Sequence, residues 1–256
     1  MSLWDGGLRY DAAAVCAVGR VRADNQDNIY LNGRTRDAEN IWFEESGRRR
    51  ALFAVADGMG GEANGAIASG AALDALKKCR PNSAETLAEA FLQANDAVCA
   101  VARKYRARCG STLTALWLDG GEAVMMNIGD SRCYLLRAGQ LRQLSCDHTL
   151  ARQLVSAGVI AEEEAATHPE RHRLTQHLGI FPEEMQIEPY EVRMDTAAGD
   201  RFLLCSDGLT EMVSDEMIAR VLNSADDVKT QSRALYALAM EGGGRDNISV
   251  LIAAVR

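Results

Sequence analysis

The chain has 256 residues, of which 47% are hydrophobic and 25% are charged, and 28 basic against 36 acidic side chains give a net charge of −8. This composition is typical of a folded globular protein, which excludes intrinsic disorder as a description of the whole chain. The acidic balance argues against nucleic acid or a membrane surface as a partner. No segment reaches the roughly 18 consecutive apolar residues that a membrane helix needs.

The seven cysteines are odd in number, irregularly spaced and without a C-x-x-C pair. This pattern argues against a disulfide framework and against a zinc site made of thiolates. The N-terminal residues show neither the basic start nor the apolar core of a secretion signal. We therefore expect a cytoplasmic protein.

Short apolar runs separated by turn residues open the chain. They predict strands over residues 12–18, 28–31 and 51–56. The polar residues 32–50, between the second and the third strand, indicate a loop. This loop ends in Arg48-Arg49-Arg50, a triplet that we expect to be solvated rather than to bind an anion.

Two helices are predicted next. The first covers residues 63–79. The second carries apolar side chains at helical spacing, which places them on one face. These are Leu87, Phe91, Ala94, Val98, Val101 and Tyr105. Asn82 is followed by Glu85 three residues later, a spacing typical of a capping box, so we expect the second helix to begin there.

The second half of the chain begins with strands joined by the short turns Asp119-Gly120-Gly121 and Ala138-Gly139, which are typical of antiparallel hairpins. These strands are predicted over residues 111–118, 123–129, 132–137 and 140–144. A helix over 150–157, a strand over 201–205, a helix capped by Ser214, a helix over 228–240 and a strand over 248–255 follow. Strands at both ends with helices in blocks between them predict an α+β fold.

Aspartates mark the ends of three apolar strands. Asp57, Asp130 and Asp207 each stand there beside a glycine or a serine. The triplet Asp-Asn-Ile occurs twice, with Asp27 near the start of the chain and Asp246 near its end. Any one of these aspartates alone is better explained by a turn. Several carboxylates on apolar strands, without cysteine or histidine at ligand spacing, favour a site for a hard divalent cation.

Gly58-Met59-Gly60-Gly61-Glu62-Ala63 also matches a dinucleotide-binding fingerprint. We reject that interpretation because Asp57 and Glu62 would press carboxylates against a pyrophosphate, and because the predicted helix runs into a second helix instead of a strand. Arg22 lies beside the acidic set, and from the residues alone it suits phosphate binding and the offsetting of aspartate charge equally well. Each of the four histidines taken alone is more typical of a surface or core position than of a catalyst.

In their order along the chain, seven stretches resemble the metal-dependent protein phosphatases, the PPM or type 2C family, in its compact bacterial form. These stretches are residues 22–28, 53–61, 109–116, 127–134, 173–179, 202–210 and 243–250. The resemblance implies an α+β fold of four layers, an αββα sandwich in which two antiparallel sheets are flanked by helix pairs. It also implies a single domain over residues 1–256 with a variable flap over residues 150–190, and we expect a monomer.

The resemblance further implies two core Mn²⁺ or Mg²⁺ ions, with a third often present in bacterial members. Asp57 would bridge the core ions, and the Gly58 carbonyl would contact one of them. Asp207 and Asp246 would hold the other core ion. Asp130 would share the third ion with Asp207.

Two further side chains receive roles from the resemblance. Asp27 would orient metal-bound water, and Arg22 would bind the substrate phosphate. The chain departs from many eukaryotic members at Gln26, where they carry glutamate, and at Met59, where they carry a histidine proposed as the general acid. With Met59 in that position, metal-bound water is the expected proton donor.

These roles predict a Ser/Thr protein phosphatase that acts on phosphoproteins and opposes a bacterial Ser/Thr kinase. Two neighbouring cations can clamp phosphoryl oxygens and lower the pKa of a bridging water toward roughly 7, so that no covalent intermediate is needed. A hydrolase of other phosphate esters and a degenerate phosphoprotein-binding regulatory module stay open as alternatives. The retained aspartates argue against degeneracy. The glutamates of the flap predict either a substrate bias or a solvated cap.

Overall fold

The computed structural model describes residues 9–36, 40–48, 50–60 and 64–256. Over these residues the strands, in chain order, are β1 (Arg9–Ala17), β2 (Asp27–Leu31), β3 (Arg34–Thr35), β4 (Ile41–Arg48), β5 (Arg50–Met59), β6 (Gly110–Ser111), β7 (Leu113–Asp119), β8 (Glu122–Ile128), β9 (Arg132–Arg137), β10 (Gln140–Gln143), β11 (Tyr190–Asp195), β12 (Arg201–Cys205) and β13 (Ile248–Val255). The helices are α1 (Asn64–Cys79), α2 (Ala84–Tyr105), α3 (Leu150–Ser156), α4 (Glu162–Ala165), α5 (Asp207–Thr210), α6 (Asp215–Leu222) and α7 (Val228–Glu241).

The strands form two antiparallel sheets. The first has the order β10-β9-β12-β13-β1-β4, and the second has the order β11-β8-β7-β5-β2-β3, with β6 paired to β5. The predicted hairpins β7–β8 and β9–β10 are confirmed. In the first sheet, β13 pairs with β1 and β12, and all eight of its residues are buried, as expected for a strand covered on both faces.

Three buried apolar clusters separate four layers. Alternate residues of β5 divide between two of them, because successive side chains of a strand point to opposite faces. Phe53 and Val55 pack between the two sheets, whereas Ala54 and Ala56 face α1 and α2. The third cluster lies between the first sheet and the helices α5, α6 and α7. The predicted four-layer αββα sandwich is confirmed.

The start of α2 lies one residue later than predicted. Ser83, not Asn82, is the N-cap, and its side chain accepts a hydrogen bond from the backbone N–H of Thr86. The Thr86 hydroxyl in turn accepts hydrogen bonds from the backbone N–H groups of Ser83 and Asn82, both at 2.9 Å. Threonine thus takes the place in the capping box that we had assigned to Glu85. The predicted cap at Ser214 is confirmed.

The loop predicted over residues 32–50 is wrong for most of its length, because β3 and β4 lie there. In β4, Ile41 and Phe43 are buried and Trp42 is 45% exposed, which is the two-residue alternation of an edge strand. Trp42 packs edge-on against Tyr236 of α7, with ring centroids 5.4 Å apart. Of the arginine triplet, Arg49 and the Arg48 side chain lie outside the described residues, and Arg50 is an exposed partner of Asp119.

Residues 150–190 include α3 and α4 and are otherwise mostly irregular. A loop begins just before this segment and closes on itself at a neck. At the neck, Thr149 pairs with Leu174. The backbone N–H of His148 donates to the Gly129 carbonyl at 2.9 Å, so the neck is tied to the residue before Asp130. None of the described helices is long and apolar enough to cross a membrane.

Candidate metal centre and substrate cleft

Asp27 and Asp57 lie directly opposite each other on neighbouring antiparallel strands. Asp27 opens β2 and Asp57 lies near the end of β5, so the register brings both to the same edge of the second sheet. Asp27 is fully buried, and its Oδ2 accepts hydrogen bonds from the hydroxyls of Ser206, at 2.6 Å, and Ser249, at 2.8 Å. Its Oδ1 has no hydrogen-bond partner among the described residues. Burial raises the pKa of Asp27 to about 6, although the two hydroxyls oppose the rise.

The backbone around Asp57 is held by the strand that follows α2. Its N–H donates to the Thr112 hydroxyl at 2.9 Å, and its carbonyl accepts the Thr112 N–H at 2.8 Å. Burial raises the pKa of Asp57 well above its usual value, and repulsion from the neighbouring carboxylates, Asp27 first, raises it further. Gly58 comes next, and a Cβ there would lie 2.0 Å from the Gly65 carbonyl oxygen, so only glycine fits between β5 and α1.

Asp207 and Asp130 come from the ends of strands in different sheets. Asp207 is the first residue of α5, directly after β12, and its buried Oδ1 has no hydrogen-bond partner in the described part of the chain. Burial, followed by repulsion from Asp130 and Asp246, raises the pKa of Asp207 well above its usual value. Asp130 follows β8, and burial together with repulsion from Asp147 raises its pKa to about 7.

Asp246, just before β13, forms an ion pair with Arg22. The Arg22 Nε donates to Asp246 Oδ1 at 2.9 Å and Nη2 donates to Oδ2 at 2.6 Å, which is the two-pronged geometry of a strong charge-assisted pair. The Arg22 side chain is 58% exposed. Of its two possible roles, the offsetting of aspartate charge is therefore the one seen directly, and its exposed guanidinium also borders the cleft.

A cavity of about 660 Å³ opens at this edge. The predicted site residues Arg22, Asp57, Gly58, Asp130 and Asp246 line it, and Asp27 is buried next to Asp57. Asp207 repels both Asp130 and Asp246, which places it within the same cluster. The structure thus brings all seven predicted site residues together.

These side chains fit a hard divalent cation. Burying several carboxylates close together is costly unless positive charge compensates them. Here Asp27 and Asp207 each keep a buried oxygen that forms no hydrogen bond with any described residue, and the carboxylates raise one another's pKa. Oxygen donors without thiolates are the ligands that Mg²⁺ and Mn²⁺ prefer. A cation among them would satisfy the free oxygens and remove the repulsion.

Sequence reasoning missed three cleft residues. Thr112 lines the cavity and holds the Asp57 backbone, and His172 and His177 line it from the segment over residues 150–190. His172 Nδ1 lies 2.9 Å from Glu211 Oε1, and together with Asp207 these side chains bring three potential metal ligands within 4.8 Å of one another. Neither histidine has a partner nearby in the sequence, so periodicity gave no signal for them.

The rejected dinucleotide site also fails in the structure. Gly61, Glu62 and Ala63 of its fingerprint lie outside the described residues, but α1 leads into α2 and not into a strand. The βαβ unit that the fingerprint requires is therefore not formed there.

The two antiparallel sheets face each other, and a carboxylate cluster suited to hard cations lies at one edge. These features define the class of α+β proteins with a site for divalent metal ions. The family model described as Protein phosphatase 2C matches residues 27–238, and the chain belongs to this family. The resemblance drawn from the seven sequence stretches is thereby confirmed.

Relatives and solved structures agree with this assignment. The serine/threonine protein phosphatase PstP of Mycobacterium tuberculosis is 38% identical over 256 residues, covering 97% of this chain but only 45% of PstP. The chain therefore spans less than half the length of that relative. The serine/threonine phosphatase stp of Listeria monocytogenes is 33% identical, with 91% of each chain covered. The PstP catalytic domain, crystallised with two manganese ions, superposes with a TM-score of 0.79 at 36% identity, covering 97% of this chain and 99% of that one.

Proposed function

We propose that this chain is a metal-dependent Ser/Thr protein phosphatase that hydrolyses phosphoserine and phosphothreonine in proteins. The observation that carries the proposal is the cluster of buried carboxylates that raise one another's pKa in a member of the protein phosphatase 2C family. The carboxylates of the cleft repel a phosphate group unless bound cations neutralise their charge. The site thus favours chemistry on a phosphate only with metal bound.

The residues divide among the cations in the way that the family pattern suggests. Asp57, the Gly58 carbonyl, Asp207 and Asp246 would hold the two core ions. Asp130, together with Asp207, would hold a third. The two manganese ions of the PstP catalytic domain support Mn²⁺ or Mg²⁺ as the cofactor.

When bound, such cations neutralise phosphoryl oxygens and lower the pKa of a water molecule between them. The protein's own groups position the reactants. Asp27 is fixed through Oδ2 by Ser206 and Ser249, which leaves Oδ1 to orient the attacking water and accept a hydrogen bond from it. Arg22 can exchange its two hydrogen bonds to Asp246 for two phosphate oxygens, because a guanidinium presents the same fork to either partner.

The substrates we propose are proteins phosphorylated by a bacterial Ser/Thr kinase, and the protein acts as a monomer and as a single domain. Residues 150–190 form its flap beside the cleft. We place it in the cytoplasm, because all seven cysteines are free thiols, which a reducing compartment preserves. The net charge of −8 supports neither nucleic acid nor an anionic membrane as a partner.

The proposal is tested by turnover of a phosphothreonine peptide with Mn²⁺, with Mg²⁺ and with chelator. Activity should require the cation. Asp57→Asn should lower kcat by at least about 10²-fold, the loss typical of removing one preorganised electrostatic group. Asp226→Asn is the matched control, since it makes the same change of charge at an exposed turn before α7. Full activity in chelator, or in Asp57→Asn, would contradict the proposal.

The same assay separates the two alternatives. A binding module would retain the phosphopeptide without releasing phosphate. A hydrolase of other phosphate esters would turn over nucleotide or sugar phosphates with a higher kcat/KM than the phosphopeptide. The exposure of Arg22 supports a protein substrate over these alternatives, because its side chain is 58% exposed at the rim of the cleft, where the surface of a phosphoprotein can reach it.

A further inference from the structure

The proposed reaction needs an acid, and the inference that follows rests on that proposed function. When the ester bond of phosphoserine or phosphothreonine breaks, the departing oxygen is a strongly basic alkoxide that must be protonated as it leaves. Met59, which lines the cleft beside Asp57 and Gly58, has no proton to give. Arginine does not deprotonate in proteins, so Arg22 does not supply one either.

His177 carries an imidazole on the wall of this cleft, and hydrogen bonds hold the backbone that follows it. The next residue, Leu178, is fully buried and pairs with Ser111 of β6 through two backbone hydrogen bonds of 2.8 and 3.1 Å. The backbone N–H of Gly179 donates to the Asn95 side chain of α2 at 2.8 Å. The flap is thus anchored to both a strand and a helix immediately after His177. A backbone held in this way loses little entropy when a substrate binds.

The ring of His177 lies against the residue that pairs with Met59. The ring packs on Gly110, where a Cβ would lie 2.9 Å from His177 Nδ1. Gly110 is the partner of Met59 in the antiparallel pairing of β6 with β5. Gly110 therefore leaves the space that lets an imidazole from the flap lie beside the strand that carries Asp57 and Met59.

The hydrogen bonding of the ring defines its two nitrogens. His177 Nδ1 lies 2.8 Å from the Leu178 carbonyl, and because a carbonyl only accepts, Nδ1 carries a proton. No described residue forms a hydrogen bond with Nε2. This nitrogen is the one that can gain and lose a proton toward a ligand. His172, the other imidazole of the cleft, is bound to Glu211 beside Asp207 and so belongs to the carboxylate cluster.

We infer that His177, and not the metal-bound water expected from the sequence, is the general acid of this phosphatase. The flap then supplies the role that the strand position occupied by Met59 cannot fill. A water molecule that gives up one proton to the solvent attacks phosphorus through its oxygen. The bond between phosphorus and the ester oxygen breaks, and the electron pair of that bond stays on the ester oxygen. The oxygen takes the proton from Nε2 of the imidazolium, leaving the alcohol and a neutral ring protonated at Nδ1. The ring regains its proton from the solvent after inorganic phosphate forms.

The test compares two leaving groups on the Mn²⁺-loaded enzyme. His177→Asn can keep a donor near the Leu178 carbonyl, and His177→Gln places an amide nearer the Nε2 position, but neither side chain can transfer a proton. Both should lower kcat for a phosphothreonine peptide by about 10²-fold or more, the usual contribution of a general acid. For p-nitrophenyl phosphate, whose leaving group departs without protonation, the loss should be at least tenfold smaller, and across a series of aryl phosphates the rates should depend more steeply on leaving-group pKa.

His168→Asn is the matched control, because His168 lies in the same flap and does not line the cavity. Melting temperature and bound manganese should be unchanged in all variants. Equal losses on the two substrates, or no loss, would overturn the role of His177 while leaving the phosphatase activity of the wild type intact. A wild type that is inert toward both substrates would contradict the proposed function itself, and this inference with it.

Discussion

Replacing Asp27 with asparagine should change how the stability of the chelated protein depends on pH. Asp27 is fully buried, and burial raises its pKa from the usual 3.8 to about 6. At about 1.36 kcal/mol for each pH unit, that rise means that the ionised carboxylate lowers the free energy of unfolding by about 3 kcal/mol.

The direction follows from proton binding. The folded protein holds the proton of Asp27 more tightly than the unfolded chain does, so stability is highest at acid pH and is lost as the pH rises from 3.8 through about 6. About 2 kcal/mol of this loss falls between about pH 4.5 and about pH 7.5. The charge of Asp27 also raises the pKa of Asp57, so its removal relieves a second group and increases the measured effect.

Urea unfolding of the wild type and Asp27→Asn, with chelator and reductant at both pH values, measures this difference. The free energy of unfolding of the wild type relative to the variant should fall by about 2 kcal/mol toward the higher pH. Any fixed cost of a buried amide cancels in that comparison. Asp226→Asn, at an exposed position, should follow the wild type at both pH values. Parallel pH profiles for wild type and Asp27→Asn would refute the reasoning, and excess Mn²⁺ should flatten the wild-type profile.

Two further substitutions probe the cleft. Arg22→Ala should lower kcat/KM for phosphopeptides roughly ten- to hundredfold, which corresponds to about 1.5–3 kcal/mol, because charged hydrogen bonds to the phosphate are lost. The manganese content should be unchanged. Loss of metal or of folding instead would mean that Arg22 is structural. Asp130→Ala should remove only the weakest of the bound ions in a calorimetric Mn²⁺ titration, because a cation with few charged ligands repays little of its dehydration. Disappearance of the tight sites would place Asp130 among the core ligands.

Those parts of the fold that depend on local sequence were predictable. The hairpins β7–β8 and β9–β10 are defined by short glycine turns between apolar runs, and β13 by its continuous apolar residues. The edge strand β4 was not predicted, because Glu44, Glu45 and Ser46 follow its only apolar triplet. An edge strand is covered on one side only, so its sequence resembles that of a polar loop.

The candidate site was predictable residue by residue but not as an arrangement. Asp27 and Asp57 are both recognisable at strand ends, yet their position opposite each other depends on the pairing of β2 with β5. The ion pair of Arg22 with Asp246 joins residues 224 positions apart in sequence, so the sequence left the role of Arg22 open. His177 lies in one of the stretches that resemble the family, but it received no role, because only the pairing of Leu178 with Ser111 brings it to the cleft.

The loop between His148 and Thr175 is closed at its neck, so its sequence can change without a change in the carboxylate cluster. The Leu150 N–H donates to the Arg173 carbonyl at 2.9 Å and the Thr175 N–H to the His148 carbonyl at 2.8 Å, so the loop leaves and rejoins the sheet edge at one point. Lengthening a loop whose ends already meet costs little free energy. The loop between the two sides of the neck can therefore change in length and in sequence while the positions of the carboxylates stay the same. Loops of this kind can change in sequence while the rigid elements that hold the carboxylates stay the same.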